Sequence, residues 1–153
     1  MGHADHNVDC AAPTDYAFDY VTDYRNLPRW VLGLNQFDPL GEQTKGVGAT
    51  FEGAVDLGPI TLPVRMEFTE WREDRTFAAR FTGSAAGTLT VAFEQLDVER
   101  TRLTVALDYS AGKGISGRLL EKAIGAFIGP SFRYMDHHLP SQIEAGYAEV
   151  SKK

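Results

Sequence analysis

Asp136-His137-His138 is the densest run of proton-handling side chains in the chain. A carboxylate beside two imidazoles could ligate a metal or move a proton near neutral pH. The surrounding pattern is helical, and adjacent helical residues point about 100° apart, so the two histidines do not readily share one ion. No metal site is expected. Only His138 falls on the apolar stripe of its segment. There it would be a core histidine bonded to a neighbour, or a polar group that orients a ligand or transfers a proton. Tyr109 and Tyr134 are the hydroxyl groups placed to partner it, and these three are the catalytic candidates. His3 and His6 lie near the start. Met1-Gly2-His3 would bind Cu(II) or Ni(II) only if Met1 were retained, and the small Gly2 favours its removal.

Other motifs carry less chemistry. Gly112-Lys113-Gly114-Ile115-Ser116-Gly117 spells G-x-G-x-x-G between a strand and a helix, with Asp136 further on. A dinucleotide site needs its acidic residue at the end of a second parallel strand, and Asp136 lies inside a helical pattern instead. The run reads as a flexible strand-to-helix loop. Ser84, Ser110 and Ser116 lack a nucleophile elbow. Cys10, the only cysteine, falls on a predicted strand and reads as inert and part-buried. Glu70, Glu73 and Asp74 alternate with Arg72 and Arg75 around a turn, as a solvated charge run does.

The apolar set is the stronger signal. Trp30, Phe51, Phe68, Phe81, Phe93, Tyr109, Phe127, Phe132 and Tyr134 fall mostly on predicted inward faces. Val64, Met66, Leu120 and Ile124 share those faces. They would pack a plain core or line an apolar cavity, with Tyr109, Tyr134 and His138 as its few polar contacts. Ligand sites have that composition: apolar walls and few convergent polar groups. Trp30 also suits a structural plug at one end. Leu57-Gly58-Pro59-Ile60-Thr61-Leu62-Pro63 is apolar for a turn. Exposed, it would suit a homodimer contact, a membrane-touching portal or a lid.

The elements that must position these residues follow from periodicity. A short β-like run (Val8, Cys10, Ala12) ends at Pro13, and a helix follows with Thr14 as its N-cap. Asn26 caps a second, short helix containing Pro28. Residues 35–45 are a plausible first strand of a meander. Residues 47–57, 60–69, 76–82, 88–96 and 101–109 then alternate apolar with polar or small, as half-buried antiparallel strands do. Pro63 cannot donate to a ladder and implies an edge, bulge or bend. From about Ser116 the period is helical to the end, with a kink or short interruption expected at Pro130 and Pro140. An α+β layout results: a curved antiparallel sheet wrapped around a long C-terminal helix, with two short N-terminal helices closing one end.

Bulk composition narrows the partners. The 153 residues are 43% hydrophobic and 24% charged with net charge −6, as for one soluble domain over 1–153. No basic stripe of the kind nucleic acid requires is present. No apolar run approaches a membrane span, so no stable membrane insertion is expected. No secretory signal segment is visible, and the expected location is cytoplasmic.

The opening runs as a strand, Ala12-Pro13, a helix carrying Ala17-Phe18, then Asp23, Pro28 and Trp30. That pattern resembles the SRPBCC (START-like, Bet v 1-like) superfamily. The meander and final helix match in order and length. The resemblance implies a helix-grip fold with a hydrophobic cavity between helix and sheet, and places the glycine-rich loop by the cavity mouth, where it would gate. Members bind lipids, sterols, quinones, plant hormones and polyketides; some are aromatases or cyclases. The expected function is binding, transport or sensing of a lipid, polyketide, sterol or isoprenoid, without a cofactor. The alternatives are a polyketide cyclase, aromatase or dehydratase using the same cavity, and an interaction module with a filled core. Fold alone does not choose among them.

Overall fold

The computed structural model describes residues 2–112 and 114–151. Met1 of the Met1-Gly2-His3 motif and Lys113 of the glycine-rich run lie outside the described residues.

Seven antiparallel strands form one curved sheet in the order β1-β7-β6-β5-β4-β3-β2. They are β1 (Gly2–Cys10), β2 (Leu34–Pro39), β3 (Thr50–Asp56), β4 (Thr61–Arg72), β5 (Thr76–Gly83), β6 (Ala85–Asp97) and β7 (Arg100–Ala111). Helices α1 (Thr14–Thr22) and α2 (Leu27–Trp30) connect β1 to β2, and α3 (Ile115–Ser151) follows β7. The α+β helix-grip expectation is met.

β1 is longer than its apolar residues suggest. Gly2, Ala4 and His6 precede Val8 and Cys10 on its inward face, so the usual β-branched and aromatic signal is weak. Pairing with β7 sets its length. On the outward face, directly opposed residues bond across the two strands: His3 to Asp108, Asn7 to Thr104 and Asp9 to Arg102.

β4 alternates as expected, with Leu62, Val64, Met66 and Phe68 inward. The β4–β5 ladder begins only at Val64–Gly83, so Pro63, which pairs with Ala54 of β3, lies beyond the end of that ladder. A register shift between Phe68 and Glu70 then brings Trp71, three residues on, back against Phe68 and Phe77.

Three local expectations are corrected. The first meander strand ends at Pro39 rather than reaching 45. Thr14 is the first helical residue and not the cap; its hydroxyl meets Thr101 Oγ1 at 3.1 Å, and Thr101 donates to Ala12 O at 2.8 Å. Those buried hydroxyls satisfy each other and a backbone carbonyl, which outweighs capping. Finally, neither Pro130 nor Pro140 interrupts α3, which is continuous over 37 residues with both inside it. A serine follows each proline and donates to the carbonyl four residues back: Ser131 to Phe127 O and Ser141 to His137 O. Each bond falls one residue beyond the carbonyl whose donor the proline removes (Ala126 O and Asp136 O), so it ties the adjacent turn without replacing the lost bond.

The register assigns the ends of the sheet. The β3–β4 turn, the β5–β6 turn, the β7–α3 connection and the start of β1 all lie at one end. Helix α1 lies towards the other, with Phe18 against Trp71 and Phe93.

Candidate functional site

The two ends of the sheet differ in how they are filled. Towards α1, aromatic rings pack on one another. Phe51 and Phe68 lie 4.7 Å apart, Phe68 and Phe77 meet edge-on at 4.8 Å, and Phe18 meets Phe93 at 5.2 Å. Such pairs add to the stability of area burial and leave little space. Towards the hairpin turns the space between α3 and the sheet is not filled. A cavity of about 190 Å³ remains there.

Its walls come from every layer. Leu57, Leu62 and Pro63 belong to the β3–β4 hairpin, Leu89 to β6, and Val105 and Leu107 to β7. Val31, Leu32 and Leu34 close it from the segment after α2; Ile128, Ser131, Phe132 and Met135 are its α3 side. Among the described residues, none that lines it is an aspartate, glutamate, lysine, arginine or histidine. Its polar groups are the Tyr109 hydroxyl, the Ser131 hydroxyl and the Trp30 indole, and Ser131 already donates to Phe127 O.

Seven of the thirteen residues expected to contact a ligand line this cavity: Trp30, Val64, Met66, Phe81, Tyr109, Ile124 and Phe127. Phe51, Phe68 and Phe93 have the inward orientation but lie in the packed aromatic half. Leu120 is part-buried outside the wall.

Tyr134 and His138 are also placed elsewhere, which corrects their expected role as cavity groups. The inner edge of α3 runs through Met135, Leu139 and Ile143, each four residues from the next. His138 falls beside that line and is exposed, with its ring 4.1 Å from that of Tyr134. An imidazole on the rim of an apolar stripe keeps its hydration by turning outward. The centroids of His137 and His138 are 6.5 Å apart, and no group of three potential metal ligands occurs among the described residues.

The third member of that run, Asp136, accepts a 2.7 Å hydrogen bond from His6 Nε2. His6 reaches it from the inward face of β1. Only the alternation of β1 could have signalled this pairing, because the two residues lie 130 positions apart.

Tyr109 is positioned by small neighbours. Its partners on the two flanking strands are Gly2 and Gly87. A Cβ at Gly2 would collide with the Tyr109 ring, and one at Gly87 with Phe81 and the β7 backbone. From α3, Gly125 passes close enough that an added Cβ would lie 3.3 Å from the Tyr109 hydroxyl. The ring therefore occupies a slot that larger side chains would fill.

Trp30 is 3% exposed and lines the cavity, so it both closes one side and faces the space. Its Nε1 is buried with no hydrogen-bond partner among the described residues. Cys10 is buried, and its thiol pKa is pushed up to about 11, first by burial and then by Glu144 and Asp9. It is not a nucleophile at neutral pH.

Residues 1–143 match the family model described as polyketide cyclase / dehydrase and lipid transport. A comparison with curated proteins found no significant match. Among solved structures, the Zhui aromatase/cyclase from Streptomyces sp. R1128 superposes with a TM-score of 0.79 at 15% identity, covering 94% of this chain and 93% of that one. A START superfamily protein from Mycobacterium smegmatis gives 0.73 at 15% identity, covering 94% and 97%. Ara h 8.0201 gives 0.64 at 10% identity, covering 92% and 98%. At such identities the likeness is one of fold.

Proposed function

The chain belongs to the polyketide cyclase / dehydrase and lipid transport family, and on that premise we propose that it binds a compact, neutral hydrophobic molecule in the cavity at the hairpin end of its sheet. The observation that carries this reading is the wall itself, which among the described residues is apolar but for three groups and has no charged side chain. Apolar ligand surface leaving water would contribute roughly 25 cal/mol per Å². An ionised ligand group would be buried with no countercharge, which is costly, so the ligand is neutral. A volume of about 190 Å³ falls below the roughly 300–1,000 Å³ of pockets for drug-sized ligands. This favours a small polyketide-like or isoprenoid molecule over a sterol or long-chain lipid. Trp30, Val64, Met66, Phe81, Ile124 and Phe127 would form the contact surface, with Tyr109 orienting the molecule.

One observation supports the enzymatic alternative. Tyr109 brings a proton-bearing hydroxyl into the wall, and a cyclase or dehydratase needs a group that can donate or accept a proton at the reacting atom. His138 would contribute nothing directly from its exposed position. No imidazole or carboxylate stands in the wall among the described residues, which makes binding the stronger reading.

Native mass spectrometry on protein purified from its own host, followed by solvent extraction, tests the proposal. A stoichiometric neutral apolar molecule supports it. An empty protein that also fails to take up a fluorescent apolar probe rules it out. If a substrate is found to turn over, Tyr109→Phe should lower the rate while leaving binding intact.

A further inference from the structure

We propose that the outer face of the first turns of α3, with the β3–β4 turn at the same end of the sheet, docks on an anionic lipid bilayer, and that the cavity exchanges its ligand there. The exchange step rests on the binding reading above; the docking step does not.

Two of the most exposed large apolar side chains, Ile115 at 77% and Leu119 at 62%, lie one turn apart at the start of α3. Arg118 and Lys122 are exposed beside them. At 3.6 residues per turn these four side chains fall within an arc of about 100°. Ile124, which lines the cavity, points the opposite way. This half of the helix is therefore amphipathic in both directions: the inner face walls the cavity, and the outer face shows apolar and basic groups to solvent.

The charge is local. Residues 115–134 hold three cations, Arg118, Lys122 and Arg133, against the single carboxylate of Glu121, in a chain of net charge −6. Ile60, 43% exposed, extends the apolar surface at the same end of the sheet. The nearest acidic residue of that turn, Asp56, accepts a hydrogen bond from Gly58 N. Exposed apolar groups interleaved with cations suit a helix lying in a headgroup layer, where the apolar groups enter the acyl boundary and the cations meet lipid phosphates. The same end holds Leu57, Leu62 and Pro63 of the cavity wall, so a ligand leaving the bilayer would have a short path inward.

Vesicle flotation with the full chain tests the proposal. Vesicles of phosphatidylcholine alone and of phosphatidylcholine with phosphatidylglycerol are compared at low and high salt. The chain should float with the anionic vesicles at low salt and be released at high salt. Replacing both cations (Arg118→Glu with Lys122→Glu) should weaken flotation by roughly tenfold or more. Ile115→Ser with Leu119→Ser should abolish it. All four side chains are exposed, so both double variants should keep the melting temperature and the uptake of a fluorescent apolar probe from solution. Flotation lost with uptake kept would support docking and separate it from the cavity reading. Wild-type flotation without probe uptake would support docking and overturn the exchange step. Absent flotation at low salt, or flotation unchanged in the Ile115/Leu119 variant, would overturn the docking step. A stable dimer dissolved by that variant would assign the patch to a second copy and overturn it too.

Discussion

The imidazole of His6 lies flat against the ring of Phe132, with centroids 4.7 Å apart and planes 12° from parallel. The same imidazole holds Asp136, one turn further along α3. Since Phe132 also walls the cavity, this stack is where the edge strand, the long helix and the cavity meet. Phe132→Ala removes a part-buried ring and opens the seam between β1 and α3. It should cost about 2–3 kcal/mol, below the ~3–5 kcal/mol of a fully buried phenylalanine. His6→Ala should cost about 1 kcal/mol, since it removes one hydrogen bond and a part-exposed stacking partner. Urea melts of the two single variants and the double variant would show coupling, because the residues touch. Strict additivity would contradict the contact.

Trp30 separates bulk from hydrogen bonding. Trp30→Ala should cost roughly 3–5 kcal/mol, since it leaves a hole where a buried indole packed. Trp30→Phe keeps most of the ring and removes an N–H that has no partner among the described residues. An unmade hydrogen bond to a buried donor is costly, so deleting the donor offsets part of the lost packing. The phenylalanine variant should therefore lie within about 1 kcal/mol of the parent in thermal or urea unfolding. A loss as large as that of the alanine variant would mean that the N–H is bonded in solution.

The outward face of the β1–β7 seam titrates at both ends of the pH scale. His3 is bonded to Asp108 and Asp5, and these bonds raise its pKa above the ordinary 6.5. Its contribution is fully present below pH 6.5 and is lost as pH rises through the raised value. Asp9 is bonded to Arg102, which lowers its pKa below the ordinary 3.8. That contribution is present above pH 3.8 and is lost as pH falls through the lowered value. Both pairs are exposed, so the effects are small. NMR titration of His3 should show the raised value, and Asp108→Asn should bring it down. An unchanged His3 titration in that variant would refute the pairing.

Cys10 should be unreactive in the folded chain. Burial holds its thiol near pKa 11, so the thiolate fraction at neutral pH is very small. Labelling with a thiol reagent should be slow at pH 7 and should accelerate sharply on unfolding. Rapid labelling of the native protein would show that β1 detaches readily from the sheet.

Alternation along β4 to β7 made the sheet and the helix legible, because a two-residue period turning into a helical one is a local property. The division between cavity and core was not. Met66 and Phe68 share one strand and one face, yet Met66 lines the cavity and Phe68 lies among packed rings. Periodicity fixes which way a side chain points, not how far along the sheet α1 fills the space. Phe18 and Trp71 decide that through contacts between distant segments. His138 escaped for a related reason: a helical stripe has edges, and the pattern does not say on which side of an edge a polar ring will lie. The β1–α3 clasp escaped because His6 stands among small residues that carry little strand signal.

The slot around Tyr109 yields the most direct test of the site. Gly2 and Gly87 flank it, and neither can gain a Cβ without displacing ring or backbone atoms. A conservative Gly87→Ala change should cost roughly 1–3 kcal/mol by overpacking, because the new methyl meets the β7 backbone and the Phe81 ring, which lines the cavity. Uptake of an apolar probe should weaken by more than that loss of stability explains. Phe81→Leu in the same background should recover part of both, because it shortens the ring that the new methyl crowds. If probe affinity is unchanged in Gly87→Ala while stability falls, the Phe81 side of the cavity does not contact the bound molecule.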